Sequence, residues 1–171
     1  MFGTLYLPHF YLQAVLRHHP ELTEKPVGLI DDQAKKAVII QLNKMAEENG
    51  VQRGMTPSQG LARCLQLIVK TRSVVQEDRV QGILLHFAGT LAPFVESTGP
   101  GISTVQFTDP KNLREKMLRA IAQLAGAEIT AKAGIASTPD ASFLAAHRAD
   151  PVLQIDDATK FLASLPIEAL L

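Results

Sequence analysis

The stretch Phe94-Val95-Glu96-Ser97-Thr98-Gly99-Pro100-Gly101-Ile102-Ser103-Thr104-Val105-Gln106-Phe107 sets the fold. Gly99-Pro100-Gly101 is a strong turn signal, because glycine tolerates the backbone angles of a tight reversal and proline pre-sets its bend. The turn separates two strand candidates, Phe94–Ser97 and Ile102–Phe107, and predicts that they pair. Upstream, Val80, Ile83, Leu84, Phe87 and Leu91 recur at helical spacing, giving an amphipathic helix of about five turns. Downstream, Leu113, Met117, Leu118, Ile121 and Leu124 predict a second helix, with Pro110 as its first helical residue. Ile129, Ala131, Ala133 and Ile135 then alternate as a strand with one buried face, and Pro139 opens a further helix to about His147.

Working back to the start, Gly3–Leu7 reads as a buried strand ending at Pro8. Between it and the helix that begins near Val80 lie small elements with many turns. Phe10–His18 is helical and is stopped by Pro20. Val27–Ile30 and Ala37–Gln41 are strands around the polar turn Asp31–Lys35. Asn43 caps a short helix, Lys44–Glu48, which Asn49-Gly50 ends in the left-handed way. Thr56-Pro57-Ser58 opens a helix through Cys64, and Leu67–Lys70 is a strand. The order is strand, insertion, helix, strand, strand, helix, strand. This predicts an α+β, ferredoxin-like plan, an antiparallel sheet with two helices on one face, interrupted after its first strand.

The 171 residues (18.6 kDa) are 46% hydrophobic and 20% charged, the composition of an ordinary globular protein. No apolar run approaches the ~18 residues of a membrane span. The start, Met1-Phe2-Gly3-Thr4-Leu5, lacks the basic segment of a secretory signal, and one cysteine excludes an internal disulfide. A cytoplasmic protein with no membrane partner is expected. Lys+Arg 17 balance Asp+Glu 17. Nucleic-acid binding would therefore need a local basic patch or parts outside this chain.

Isolated site candidates are weak. His18-His19 are neighbours on a helix and point about 100° apart, so they do not readily share a metal. Asp31-Asp32 and Asp156-Asp157 could hold a divalent ion but read first as turn and cap residues. Cys64 with His86 or His147 matches a thiol enzyme in composition only, and a buried cysteine is the simpler reading. Gly99-Pro100-Gly101 is not a phosphate loop, since no lysine and helix start follow it. Arg53, Arg63, Lys70 and Arg72 could contact phosphates or form a solvated face.

Several local strings, in order, resemble the amino-terminal half of a Y-family (translesion) DNA polymerase. They are Phe10-Tyr11-Leu12-Gln13-Ala14, Lys25-Pro26-Val27, Gly50-Val51-Gln52-Arg53-Gly54-Met55, Phe94-Val95-Glu96 and Gly134-Ile135-Ala136. The closing Leu165-Pro166-Ile167-Glu168-Ala169-Leu170 looks like the family's entry to its thumb. The resemblance implies a palm-like domain at 1–11 and 73–155, a fingers-like insertion at 12–72 and the start of a thumb-like segment at 156–171.

The same resemblance implies that the chemistry is missing. Nucleotidyl transfer in this family uses two magnesium ions held by acidic side chains. Ungapped alignment places Tyr6, Gly101 and Ile102 at the three carboxylate positions. Lys44 and Glu47 stand where the family contacts the gamma-phosphate, and Pro139 takes the place of a lysine. Phe10 and Tyr11, at the stacking and sugar-gate positions, remain as a nucleotide-pocket remnant, with Lys44 as a possible contact. Leu7-Pro8 and Gly134-Ile135-Ala136-Ser137-Thr138-Pro139 are similar to the catalytically inactive ImuB branch. That branch implies an adaptor on damaged DNA, without bound magnesium or nucleotide. Its partners would be the sliding clamp, a replicative-type error-prone polymerase and RecA-related factors, met mostly through later regions. Two other readings stand beside it: a live nucleotidyltransferase using Asp31, Asp32 or Glu96, and an unrelated ferredoxin-like sensing domain.

Overall fold

The computed structural model describes residues 1–165, which form β1 (Phe2–Tyr6), α1 (Phe10–Leu16), β2 (Val27–Ile30), β3 (Ile39–Leu42), α2 (Lys44–Glu48), α3 (Pro57–Arg63), β4 (Ile68–Thr71), α4 (Val74–Leu91), β5 (Phe94–Gly99), β6 (Ile102–Gln106), α5 (Leu113–Gly126), β7 (Lys132–Ala136), α6 (Pro139–Arg148), β8 (Val152–Gln154) and α7 (Ala158–Ala163). They divide into two units: Met1–Pro8 with the chain from Val80 onward, and His9–Arg79. The divisions fall after Pro8 and Arg79 rather than after residues 11 and 72.

In the larger unit β1 lies at the centre of a five-stranded sheet of order β5-β6-β1-β7-β8. It runs antiparallel to β6, with Gly3 opposite Val105 and Leu5 opposite Ser103, and antiparallel to β7, with Gly3 opposite Ile135. The hairpin read from Gly99-Pro100-Gly101 is β5–β6. The α+β, antiparallel-dominated architecture is as the sequence predicts, with β8 added parallel to β7.

The two faces of this sheet differ from the expected plan. On one face Gly3 sits beneath Met117 of α5 and Phe107. On the other, Gly134 lies against the backbone of α6 at Ser142 and Ala146. Helices therefore cover both faces, and β7 is buried through Ala133, Gly134, Ile135 and Ala136 instead of on alternate residues. The second helix also starts later than Pro110. Asn112 adopts a left-handed backbone and α5 begins at Leu113. Phe161 of α7 packs on Ala136, Ala141, Ala145 and Ile155, so the first turns after residue 156 join the larger unit's core. The remainder of the thumb-like segment, 166–171, lies outside the described residues.

The smaller unit holds a three-stranded sheet, β3-β2-β4, in which β2 is antiparallel to β3 and parallel to β4. Ile39, Leu42, Ala46, Val51, Cys64 and Leu67 make one apolar cluster, and Leu12, Val15, Leu22, Val27 and Leu29 another. Asn43 joins them. Its Oδ1 accepts from Ala46 N at 3.1 Å, the expected helix cap, and from Val27 N at 3.0 Å. Its amide donates to the Lys25 carbonyl at 2.7 Å.

The glycines give a direct test of this packing. Gly134→Ala drives a methyl into the α6 backbone, and we expect a loss of at least about 3 kcal/mol. Gly89, exposed in α4 with open space where a Cβ would stand, should gain roughly 0.5–1 kcal/mol as alanine. Urea denaturation midpoints of the two variants check both signs.

Candidate functional site

The three positions matched to acidic metal ligands converge at one end of the β1–β6 pair. Tyr6 is the register partner of Ile102, and Leu7 N donates to the Gly101 carbonyl at 2.8 Å. Gly101 has φ 70 and follows Pro100, which is the backbone a type II turn requires at its third residue. Gln81 of α4 holds this tip. Its Oε1 accepts from Gly101 N at 2.8 Å, while its amide donates to Ser97 Oγ at 3.0 Å and to the Ile102 carbonyl at 3.4 Å.

The Tyr6 ring stacks on His147, with centroids 4.0 Å apart and planes at 24°. Phe143, one turn earlier on α6, tilts against the same imidazole at 4.3 Å. His147 Nδ1 lies 3.0 Å from the Phe143 carbonyl, which only accepts, so this nitrogen is the donor. An aromatic stack and a hairpin tip thus occupy the corner. Among the described residues no group of three or more His, Cys, Asp or Glu side chains is placed to hold a metal ion.

Phe10 and Tyr11, read from the sequence as a nucleotide-pocket remnant, lie in the smaller unit. Phe10 is buried, and its ring meets Tyr11 edge-on at 5.4 Å. The Arg72 guanidinium sits 4.3 Å from the Tyr11 ring centre. Arg72 does not join a solvated face with Arg53, Arg63 and Lys70. Its Nε and one terminal nitrogen donate to the two oxygens of Glu77, a bidentate pair, and its other nitrogen donates to Asp31 at 3.1 Å. The Glu77 hydrogen bonds are the largest cause that holds the guanidinium above its ordinary value, and Asp31 adds to them. Lys44 is exposed and pairs loosely with Glu48 at 3.6 Å, one turn on, and Glu47 beside it is exposed.

The other candidates have structural partners. His19 Nδ1 meets Glu21 at 3.0 Å, while His18 is exposed on the same segment. A backbone hydrogen bond, then His19, keep the Glu21 carboxyl below its usual range. Asp157 caps α7 through Lys160 N at 3.0 Å, and Asp156 accepts from Gln154 at 3.3 Å. Asp31 also accepts from Gln33 N, a local turn contact, and Asp32 from the Gln33 amide. Cys64 is buried in the small unit's core, and His86 stands edge-on to Phe87 at 5.3 Å. Pro139 is the first residue of α6, behind the cap Thr138. Sequence reasoning missed Gln81 and Glu77 altogether. A polar residue one position after Val80 on a helix reads as solvent-facing, and no local pattern reveals the hairpin it reaches.

With this geometry in place, comparison with solved structures shows a DNA polymerase fold. The chain superposes on Dbh DNA polymerase in a post-insertion binary complex with a TM-score of 0.87 at 16% identity, covering 98% of this chain and 52% of that one. DinB from Sulfolobus solfataricus gives 0.83 at 16% identity, covering 98% and 52%. Residues 5–147 match the model of the impB/mucB/samB family, and the chain belongs to that family. Curated relatives include DNA polymerase IV of Legionella pneumophila strains Philadelphia 1 and Corby, each 24% identical over 178 residues, 94% of this chain and 48% of the relative. The chain spans about half the length of the curated relatives it matches. It is a Y-family polymerase-like chain corresponding to their amino-terminal portion.

Arg72→Met leaves the buried Glu77 without its counter-charge, and we expect a loss of roughly 3 kcal/mol. A guanidinium raised above its ordinary value stabilises fully below that value and loses its effect only above it. The Arg72 contribution should therefore be flat between about pH 5 and pH 9. Urea titrations of wild type and variant at both ends of this window give the difference directly.

Proposed function

We propose that this chain is the palm-like and fingers-like portion of a non-catalytic translesion polymerase relative of the ImuB branch, acting as a DNA-associated adaptor. The palm-like part is Met1–Pro8 with the chain from Val80, the fingers-like part is His9–Arg79, and a thumb-like segment begins within 156–171. The observation that carries the reading is the corner itself. Tyr6, Gly101 and Ile102 meet there, and none supplies a carboxylate to a magnesium ion. The side chains present do not fit a divalent cation, and we route no chemical step through one. Glu47 adds negative charge where a triphosphate would need the opposite. In this reading the larger protein is cytoplasmic. It assembles a sliding clamp, a replicative-type error-prone polymerase and RecA-related factors on damaged DNA, chiefly through regions beyond this chain.

One observation favours the other reading, a working nucleotidyltransferase: the curated relatives are named DNA polymerase IV. Its candidate ligands would be Asp31, Asp32 or Glu96. Asp31 already pairs with Arg72, which leaves it poorly suited to a metal.

Primer extension with magnesium or manganese, on the longest natural form of the protein, separates the two. We expect no template-dependent extension. Losing one electrostatic contact to the transition state costs about 3 kcal/mol, and here several are absent together. Gly101→Asp alone should not restore activity, because two ligands are still missing and φ 70 disfavours a side chain. Extension that vanishes on substituting Asp31, Asp32 or Glu96 would establish the polymerase reading instead. A second expectation concerns DNA. With a formal charge of +0, this chain alone should bind a labelled primer–template only weakly at physiological salt. Submicromolar affinity in a fluorescence anisotropy titration would show that a local basic patch suffices.

A further inference from the structure

The open half of the larger unit's sheet carries a cavity of about 380 Å³ lined by Phe2, Phe94, Glu96, Thr98, Gln106 and Pro139, among others. Strand register explains its composition. Phe2, Gln106 and Phe94 form one cross-strand row, and Thr4, Thr104 and Glu96 form the next. Side chains in these rows share one face, because strand side chains alternate and both rows take every second residue. On this face α6 covers β1 and β7, where Gly134 admits it. Phe94 is 62% exposed.

The hydroxyls beneath the cavity form a chain whose direction is fixed at one end. Ser142 Oγ donates to the Pro139 carbonyl at 2.7 Å, and that oxygen can only accept. Ser142 has then used its single proton, so Thr4 must donate to Ser142 across 2.8 Å. Thr104 must in turn donate to Thr4 across 3.2 Å, and Thr98 to Thr104 across 3.3 Å. Thr98 is left with lone pairs and no proton. It faces the cavity as an acceptor, beside the Glu96 carboxylate, the only charged group in the lining. Among the described residues Glu96 has no ion-pair partner. Pro139 brings no N–H, and the Thr138 hydroxyl is engaged by Ala141 N. The Gln106 amide can turn either its oxygen or its nitrogen inward.

We propose that this cavity receives the guanidinium of an arginine carried on an extended segment of a partner protein. A planar cation with forked donors satisfies Glu96 and Thr98 together and lies flat on the exposed Phe94 ring. Lysine, a single ammonium on a flexible stem, matches the fork less well. The approach of the segment is also provided for. β5 is an edge strand whose only sheet partner is β6, so an extended chain can pair along its free side while its arginine enters the cavity. This inference does not depend on whether the polymerase chemistry is absent.

The test titrates the full chain with three capped peptides, acetyl-Gly-Xaa-Gly-amide, where Xaa is arginine, lysine or citrulline. Amide chemical shifts are read by NMR. The arginine peptide should move the amides of Phe94–Gly99, and binding should weaken about tenfold with citrulline, which keeps the shape but loses the charge. Lysine should bind about threefold less tightly than arginine. Glu96→Gln should weaken the arginine peptide about tenfold, and Thr98→Val, a near-isosteric change on an exposed strand position, about threefold. Equal affinity for arginine and citrulline, indifference to Glu96→Gln, shifts confined to other surfaces, or no binding by any peptide up to about 10 mM each overturn the proposal.

Discussion

The approach of α6 to β7 at Gly134 governs much of the larger unit. A Cβ at this position would collide with the Ser142 carbonyl and the Ala146 amide nitrogen, so the helix sits at backbone distance from the strand. At that distance Ser142 reaches Thr4 on the neighbouring strand, and the two buried hydroxyls pair across 2.8 Å. The same placement carries His147, at the far end of α6, onto Tyr6. One glycine therefore fixes both the polar chain under the open sheet face and the aromatic stack at the corner. On the opposite face Gly3 leaves room for the side chains of Met117 and Phe107. β1 is consequently buried on both sides through Gly3, Thr4 and Leu5.

This constraint also bears on the corner where Tyr6, Gly101 and Ile102 meet. The corner is held through backbone as well as side chains. Gly101 takes a left-handed conformation in a tight turn, and Gln81 and Leu7 hold that turn by hydrogen bonds to its main chain. Such a tip needs no charge to keep its shape. Tyr6, Gly101 and Ile102 bring none to it.

How much of this was legible in the sequence depends on the range of the interaction. Local signals were read well. The Gly99-Pro100-Gly101 turn, the Asn43 cap and the left-handed Gly50 depend on neighbours a few residues away. Element order also pointed to the antiparallel sheet, because the β5–β6 hairpin and the helical crossovers leave few ways to pair the strands. What stayed hidden involves residues distant in sequence. Ile129–Ile135 alternates like a half-exposed strand, yet β7 is buried on both faces, since the second covering helix is called in by a glycine whose meaning is tertiary. Pro110 is a good first helical residue, but the helix waits for Leu113 after a left-handed Asn112. The site positions could be aligned from local strings. That they meet at one corner, with His147 stacked into it, is a fact of three dimensions.

The cations follow the same division. Arg53, Arg63, Lys70 and Arg72 look equivalent as a loose basic cluster, yet Arg72 is bound to two carboxylates and covers Tyr11. In the larger unit Arg114 similarly donates to the Val152 carbonyl at 2.7 Å, tying α5 to the edge strand β8. A guanidinium held in this way holds the fold together and releases few counterions on meeting a phosphate backbone. In a chain whose formal charges already cancel, each such arginine further reduces the positive surface left for DNA. The negative side chain that remains unpaired beside the open sheet face, Glu96, points instead toward a partner that brings positive charge. The charge on this sheet face thus suits a cationic partner better than a phosphate backbone.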